Sequence, residues 1–183
     1  MEGVVRTRVG YAGGEAPDPT YRRIQDHTEV LQIEYDPSKI SYETLLEVFW
    51  ESHNPTVRPY SRQYMSLLLY HNEEQRDIIE KSRKAYEEKV GKTVLTEIKT
   101  LDRFYSAEGY HQKYYLQNRP GIVEEVRGMY PDFTSFVDST TAARLNGYVS
   151  GKGNMEAFEE DIAKINLSEE TETKIRELLD IIW

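Results

Sequence analysis

The stretch from Gly10 to Tyr35 limits the possible folds most, because a strand pattern, a paired glycine, a tyrosine and a glutamate follow one another in quick succession. Residues Thr28-Glu29-Val30-Leu31-Gln32-Ile33-Glu34-Tyr35 alternate with period two, which predicts a strand with Glu29, Leu31, Ile33 and Tyr35 on one face. Glu29 then lies on the apolar face. Loss of water there favours a carboxyl that keeps its proton and can donate it, as a general acid must. The competing reading is a strand-end carboxylate that curls out to solvent or pairs with Arg22 or Arg23. Upstream, Gly13-Gly14 admits positive φ, and Pro17 and Pro19 stiffen the loop that follows.

Around this stretch the pattern predicts strands interleaved with helices. Val4 to Tyr11 reads as a strand with Val5, Thr7, Val9 and Tyr11 on one face and Arg6 and Arg8 outward. Tyr42, Leu45, Leu46, Phe49 and Trp50 fall on one buried helical face behind a Ser41 N-cap, and the helix stops at His53-Asn54-Pro55. Tyr64 to Tyr70 is nearly apolar and reads as a central strand. A charged helix from Glu73 to Lys89 ends at Gly91, Val94 to Ile98 forms a fourth strand, and a tyrosine-rich helix from Ala107 to Leu116 closes the core. Beyond Pro120 only helix signals remain, with Asp132, Asn154 and Ser168 as N-caps and Ile175, Leu178, Leu179 and Ile182 as a terminal apolar stripe. The expected class is α+β, an α/β sandwich with a C-terminal helical extension. The expected division is a core over residues 1–120 and a helical segment over 121–183 packed on it.

Charge and cysteine usage bound the chemistry. A net charge of −9 opposes nucleic acid and anionic membrane surfaces as partners. No run of residues is long and apolar enough for a membrane span and no secretory leader is legible, so a cytoplasmic protein is expected. The cysteine count is 0, which removes disulfides, thiolate metal sites and a cysteine nucleophile from these residues.

Gly10-Tyr11-Ala12-Gly13-Gly14, Asp18-Pro19-Thr20-Tyr21 and Asp26-His27-Thr28-Glu29-Val30, in this order and spacing, resemble the peptide-methionine (S)-S-oxide reductases, the MsrA family. The resemblance continues through Tyr35-Asp36-Pro37, Phe49-Trp50-Glu51-Ser52-His53-Asn54-Pro55-Thr56, Arg62-Gln63-Tyr64 and Phe104-Tyr105-Ser106-Ala107-Glu108-Gly109-Tyr110-His111-Gln112, nearly all of residues 3 to 116. It implies a ferredoxin-like core. It also implies a reaction in which a cysteine thiolate attacks the sulfur of methionine sulfoxide, free or in proteins, and the resulting sulfenic acid is reduced by thioredoxin or another thiol without a bound cofactor. The substrate oxygen gains charge and needs donors, a role the resemblance gives to Glu29, Tyr21 and Tyr64 as catalytic groups.

The chain departs from the family pattern at two places. The family's Gly-Cys-Phe-Trp-Gly motif, which holds the nucleophile and the aromatic cradle for the substrate methyl, and the first core strand before it have no counterpart here. The expectation is therefore an N-terminally truncated, inactive form of the enzyme. The alternative is a cysteine-less pseudoenzyme serving as a binding or interaction module. The Thr56–Tyr64 segment is also short and lacks an aspartate found in many relatives, so Tyr60 is taken as a substitute wall of the substrate site, with His27 as a second substrate-contacting candidate. His27, His53, His71 and His111 match no familiar metal spacing, and anchoring of turns and helix ends accounts for them without a metal.

Overall fold

The structure, a computed structural model, describes residues 1–182. Five strands and eight α-helices give a mixed α+β protein among those residues. By contacts the chain forms two compact units, drawn differently from the sequence division at residue 120. One comprises Met1–Arg8, Ile33–Tyr35 and Gly109–Trp183; the other comprises Val9–Gln32 and Asp36–Glu108.

The second of these carries the residues singled out above. Strands β1 (Val4–Ala12), β2 (Thr28–Tyr35) and β5 (Tyr105–Ser106) form a sheet in the order β2-β1-β5, with β5 antiparallel to β1. Gly10 pairs with Ser106, and a Cβ at Gly10 would collide with the Tyr105 carbonyl, so the close approach of β5 requires glycine. Strands β3 (Leu67–Tyr70) and β4 (Glu97–Thr100) pair in parallel, joined by helix α2 (Glu73–Val90). Helix α1 (Tyr42–Glu51) packs on α2 around Leu46, Trp50, Ile79 and Val94. Trp50 stacks on Tyr86 with centroids 5.5 Å apart, and its indole N–H donates to Ser82 Oγ at 3.1 Å. The caps are as the sequence predicts: the Ser41 hydroxyl accepts from the Thr44 N–H, and Gly91 ends α2 in the left-handed conformation at φ 66°.

The other unit is almost wholly helical. Helices α4 (Val123–Gly128), α5 (Phe133–Val137), α6 (Thr140–Tyr148), α7 (Met155–Ile162) and α8 (Glu169–Ile182) follow the short α3 (Tyr114–Gln117). Phe136, Phe158, Leu145, Ile175 and Leu179 are each about fully buried in its core. Asp132, Ser139 and Asn154 cap α5, α6 and α7 by accepting from N–H groups three residues on. The N-terminal part of β1 is stitched to these helices: Arg8 grips Asp138 with two bonds of 2.6 Å, and the Thr140 hydroxyl donates to the Val5 carbonyl at 2.7 Å. That grip holds the Asp138 carboxyl below its usual range.

Three local expectations need correction. Tyr64 is not in a strand: Arg62–Tyr64 make one turn of 3-10 helix, and β3 begins at Leu67 and pairs only with β4 among the described residues, so it is not central. The fourth strand starts at Glu97 rather than Val94. The helix expected over Ala107–Leu116 is broken, because Lys113 takes φ 49° and sends its buried ammonium back to the Thr7 carbonyl and hydroxyl at 2.5 and 2.8 Å. Tyr110, Tyr114 and Tyr115 are left more than half exposed instead of closing a core.

Candidate functional site

The site is assembled by pinning one helical turn to the start of β2. Arg62 bonds the Asp26 carbonyl through Nε at 3.1 Å and the Glu97 carboxylate through Nη1 at 2.6 Å. The Thr28 hydroxyl donates to the Arg62 carbonyl at 3.0 Å, and Gln63 Nε2 donates to Glu29 Oε1 at 2.6 Å. Three of these bonds fix Arg62–Tyr64 against residues 26–29, and the fourth ties Arg62 to Glu97. The Arg62 guanidinium, followed by Lys99, holds Glu97 below the ordinary carboxylate range, so that the anchor stays ionised.

Three phenols meet on this platform. The Tyr64 hydroxyl is hydrogen bonded with those of Tyr21 and Tyr60, which pushes its ionisation above the usual tyrosine value. The Tyr60 ring also lies against Tyr64 with centroids 5.3 Å apart. Tyr21 sits in a tight turn closed by reciprocal backbone bonds between Thr20 and Arg23. Its own N–H donates to Glu108 Oε1 at 3.1 Å, while the other oxygen of Glu108 accepts from the buried Tyr11 hydroxyl at 2.6 Å. Glu108 therefore carries the position of Tyr21 back to β1. Glu108 and Gln63 stand inside the motif-like segments but have no chemistry of their own that pattern reading could detect; their role is visible only through the bonds they make.

Glu29 is not in a dry pocket. The alternating face that carries it is the uncovered one: Glu29 is exposed, Leu31 is 55% exposed and Ile33 36%, whereas Thr28 is buried. Period-two alternation identifies residues that share a face and is silent on which face is covered. Glu29 is exposed rather than desolvated and is oriented by Gln63, the residue before Tyr64. It makes no ion pair with Arg22 or Arg23 either.

His27 stands apart from the phenols. Its ring is buried, Nδ1 accepts from the Gly14 N–H at 3.3 Å and Nε2 lies 2.7 Å from the Ala16 carbonyl, so Nε2 carries the proton. Both nitrogens are used in holding the glycine turn, and His27 precedes β2, which begins at Thr28. Gly13, at φ 81°, permits that turn. No group of three metal-ligating side chains occurs among the described residues, nor does a helix long and apolar enough to cross a membrane.

The profile of the peptide methionine sulfoxide reductases matches residues 1–142. The chain belongs to this family. A second profile, the helical domain of selenoprotein methionine sulfoxide reductase A, matches residues 135–180, within the helical unit. A peptide methionine sulfoxide reductase of Drosophila melanogaster is 43% identical over 170 residues, covering 91% of this chain and 67% of the relative. The MsrA of Sulfolobus acidocaldarius is 45% identical over 128 residues, covering 65% of this chain and 73% of its own length. Reduced Mxr1 from Saccharomyces cerevisiae superposes with a TM-score of 0.60 at 32% identity, covering 66% of this chain and 74% of the other. Methionine sulfoxide reductase A of Corynebacterium diphtheriae gives 0.54 at 31%, covering 64% and 65%. The fold is thus that of the MsrA family, with C-terminal helices that have a family profile of their own.

Proposed function

We propose that this chain provides the oxygen-binding half of a methionine (S)-sulfoxide reductase site, with Tyr21 and Tyr64 as hydrogen-bond donors to the sulfoxide oxygen, Tyr60 as the outer wall and Glu29 as an acid–base group of the site. The observation that carries this reading is the set of three interacting phenols, Tyr21, Tyr60 and Tyr64, together with the bond from Gln63, the residue before Tyr64, to Glu29. Phenols suit this work because they keep their protons at neutral pH and donate to an oxygen that becomes more negative as its bond to sulfur weakens. Glu29 is half of an oriented pair: with Oε1 taken by Gln63, Oε2 is the oxygen open to substrate and to a proton.

In the reaction proposed for the full catalytic unit, a cysteine thiolate attacks sulfur to form an S–S bond as the oxygen takes a proton, and transfer of that hydroxyl to the cysteine sulfur breaks the S–O and S–S bonds, releasing methionine and leaving the cysteine as sulfenic acid. Two thiol equivalents, from thioredoxin or another dithiol, then return the cysteine and release water. These 183 residues hold no cysteine, so for the chain itself binding without turnover is the expected behaviour. Calorimetric titration with N-acetyl-methionine (S)-sulfoxide amide should give saturable binding, weakened about tenfold or more by Glu29→Gln or Tyr64→Phe. With dithiothreitol added, no methionine should form. Absence of binding, or binding indifferent to both substitutions, contradicts the proposal.

The second reading, a cysteine-less module that binds without belonging to a catalytic unit, is favoured by the same cysteine count. The two diverge on addition of a thiol-bearing segment of the Gly-Cys-Phe-Trp-Gly type: restored reduction supports the enzyme reading, and none supports the module.

A further inference from the structure

The chain is acidic overall, with a net charge of −9, and most of its guanidinium groups hold a carboxylate: Arg8, Arg62, Arg76, Arg83, Arg144 and Arg176 all do. Arg22, Arg23, Arg58, Arg103, Arg119 and Arg127 do not; of these Arg103 donates to the Tyr105 hydroxyl and Arg127 lies over the Phe133 ring, and Arg22, Arg23 and Arg58 are the ones next to the phenols in sequence. All three are exposed, and none has an ion pair or side-chain hydrogen bond among the described residues. They are not scattered. Arg22 and Arg23 follow Tyr21 directly and Arg58 lies two residues before Tyr60, which places their backbone within about 4–8 Å of the two outer phenol positions. That is inside a Debye length at physiological salt, about 8 Å. Of the neighbouring carboxylates, Glu97 is neutralised by Arg62 and Lys99, while Asp26 and Glu29 are oriented by neutral donors, the Glu15 and Ala16 N–H groups and the Gln63 amide.

We propose that Arg22, Arg23 and Arg58 form a basic rim that makes peptide-bound methionine sulfoxide flanked by aspartate or glutamate the preferred ligand of the site. The proposal rests on the reading of the phenol cluster as a sulfoxide site and names its substrate class. Unpaired guanidinium groups beside a pocket attract carboxylates at a distance and then bind them in a forked geometry that a lysine would not reproduce. The overall charge of −9 opposes acidic peptides at long range, so the rim acts locally, at the flanking residues of a peptide already at the site.

The test uses four short peptides, with methionine or its (S)-sulfoxide at the centre and glutamate or lysine on both sides, followed by fluorescence anisotropy with the purified chain. At low salt the acidic sulfoxide peptide should bind about tenfold or more tightly than the basic one, with the ratio approaching one near about 0.5 M salt. In the triple variant Arg22→Glu, Arg23→Glu, Arg58→Glu the preference should reverse; all three positions are exposed, so the fold should persist and circular dichroism verifies it. Equal affinity for both flanks, or a preference that survives in the variant, overturns the rim. The oxidation comparison reads the underlying site separately. A flank preference without discrimination of oxidised from reduced peptide supports the rim and counts against the sulfoxide site, and oxidation discrimination without flank preference does the reverse. Failure of every peptide to bind overturns both.

Discussion

The helical unit and the unit that carries the phenols use their apolar residues in opposite ways. In the first, Phe136, Phe158, Ile175 and Leu179 are sealed among neighbouring helices and Tyr148 is buried with its hydroxyl bonded to Asp161 and the Ala157 carbonyl, although Tyr110, Tyr114 and Tyr115 of the same unit are exposed. In the second, the buried cluster is small, Leu31 is exposed on β2, and Tyr21, Tyr60 and Tyr64 stand at 38, 87 and 43% exposure. A buried phenol bonded to a carboxylate is structural. The phenols of Tyr21, Tyr60 and Tyr64 instead interact with one another at the surface, where a ligand can reach them.

The largest expected effect tests the first half of that contrast. Phe136→Ala should cost about 3–5 kcal/mol in chemical denaturation, the range for emptying a closed aromatic site. A loss below about 1 kcal/mol would mean that the helical core is looser than its burial indicates.

A smaller effect concerns pH. Burial lowers the Lys113 ammonium from 10.5 to about 8, against an opposing attraction from Asp138. The folded chain therefore prefers the neutral amine more than the unfolded chain does. The contribution is full above the unfolded value and is lost as pH falls through the window from 10.5 to about 8, below which it is flat. Lys113→Met should abolish that slope when its stability is subtracted from that of the parent protein across the window; an unchanged slope would place the titration elsewhere.

The smallest effect belongs to the open unit. Tyr21→Phe removes the first of the two hydrogen bonds that raise Tyr64, so Tyr64 should titrate at lower pH in ultraviolet difference spectra, while stability changes by no more than about 0.5–1 kcal/mol. A large stability loss here would erase the distinction between the units.

Much of this organisation is legible in the residues. Ser41, Gly91, Asp132 and Asn154 announce helix ends because capping is a local bond between a side chain or a left-handed glycine and the adjacent turn. The motif-like segments include Tyr21 and Tyr64, which interact in the structure; Tyr60 lies outside them and joins Tyr64 through ring contact. What the residues do not reveal is decided over distance. Glu29 and Leu31 share a face by alternation, but whether that face is covered depends on elements remote in sequence. The helix expected across Lys113 fails because an ammonium with two acceptors on Thr7 outweighs local helical preference. Tyr64 leaves the strand because Arg62 and Gln63 are bound to Asp26 and Glu29, partners more than thirty residues away.

The most direct test of the central claim is ring-selective NMR of the purified chain, with tyrosines labelled and assigned by single Tyr→Phe substitutions, during titration with a peptide (S)-sulfoxide. The account predicts saturable shifts in Tyr21, Tyr60 and Tyr64 and none in Tyr110, Tyr114, Tyr115 or Tyr148. Shifts in the latter set, or a phenol cluster unmoved at saturation, would contradict it.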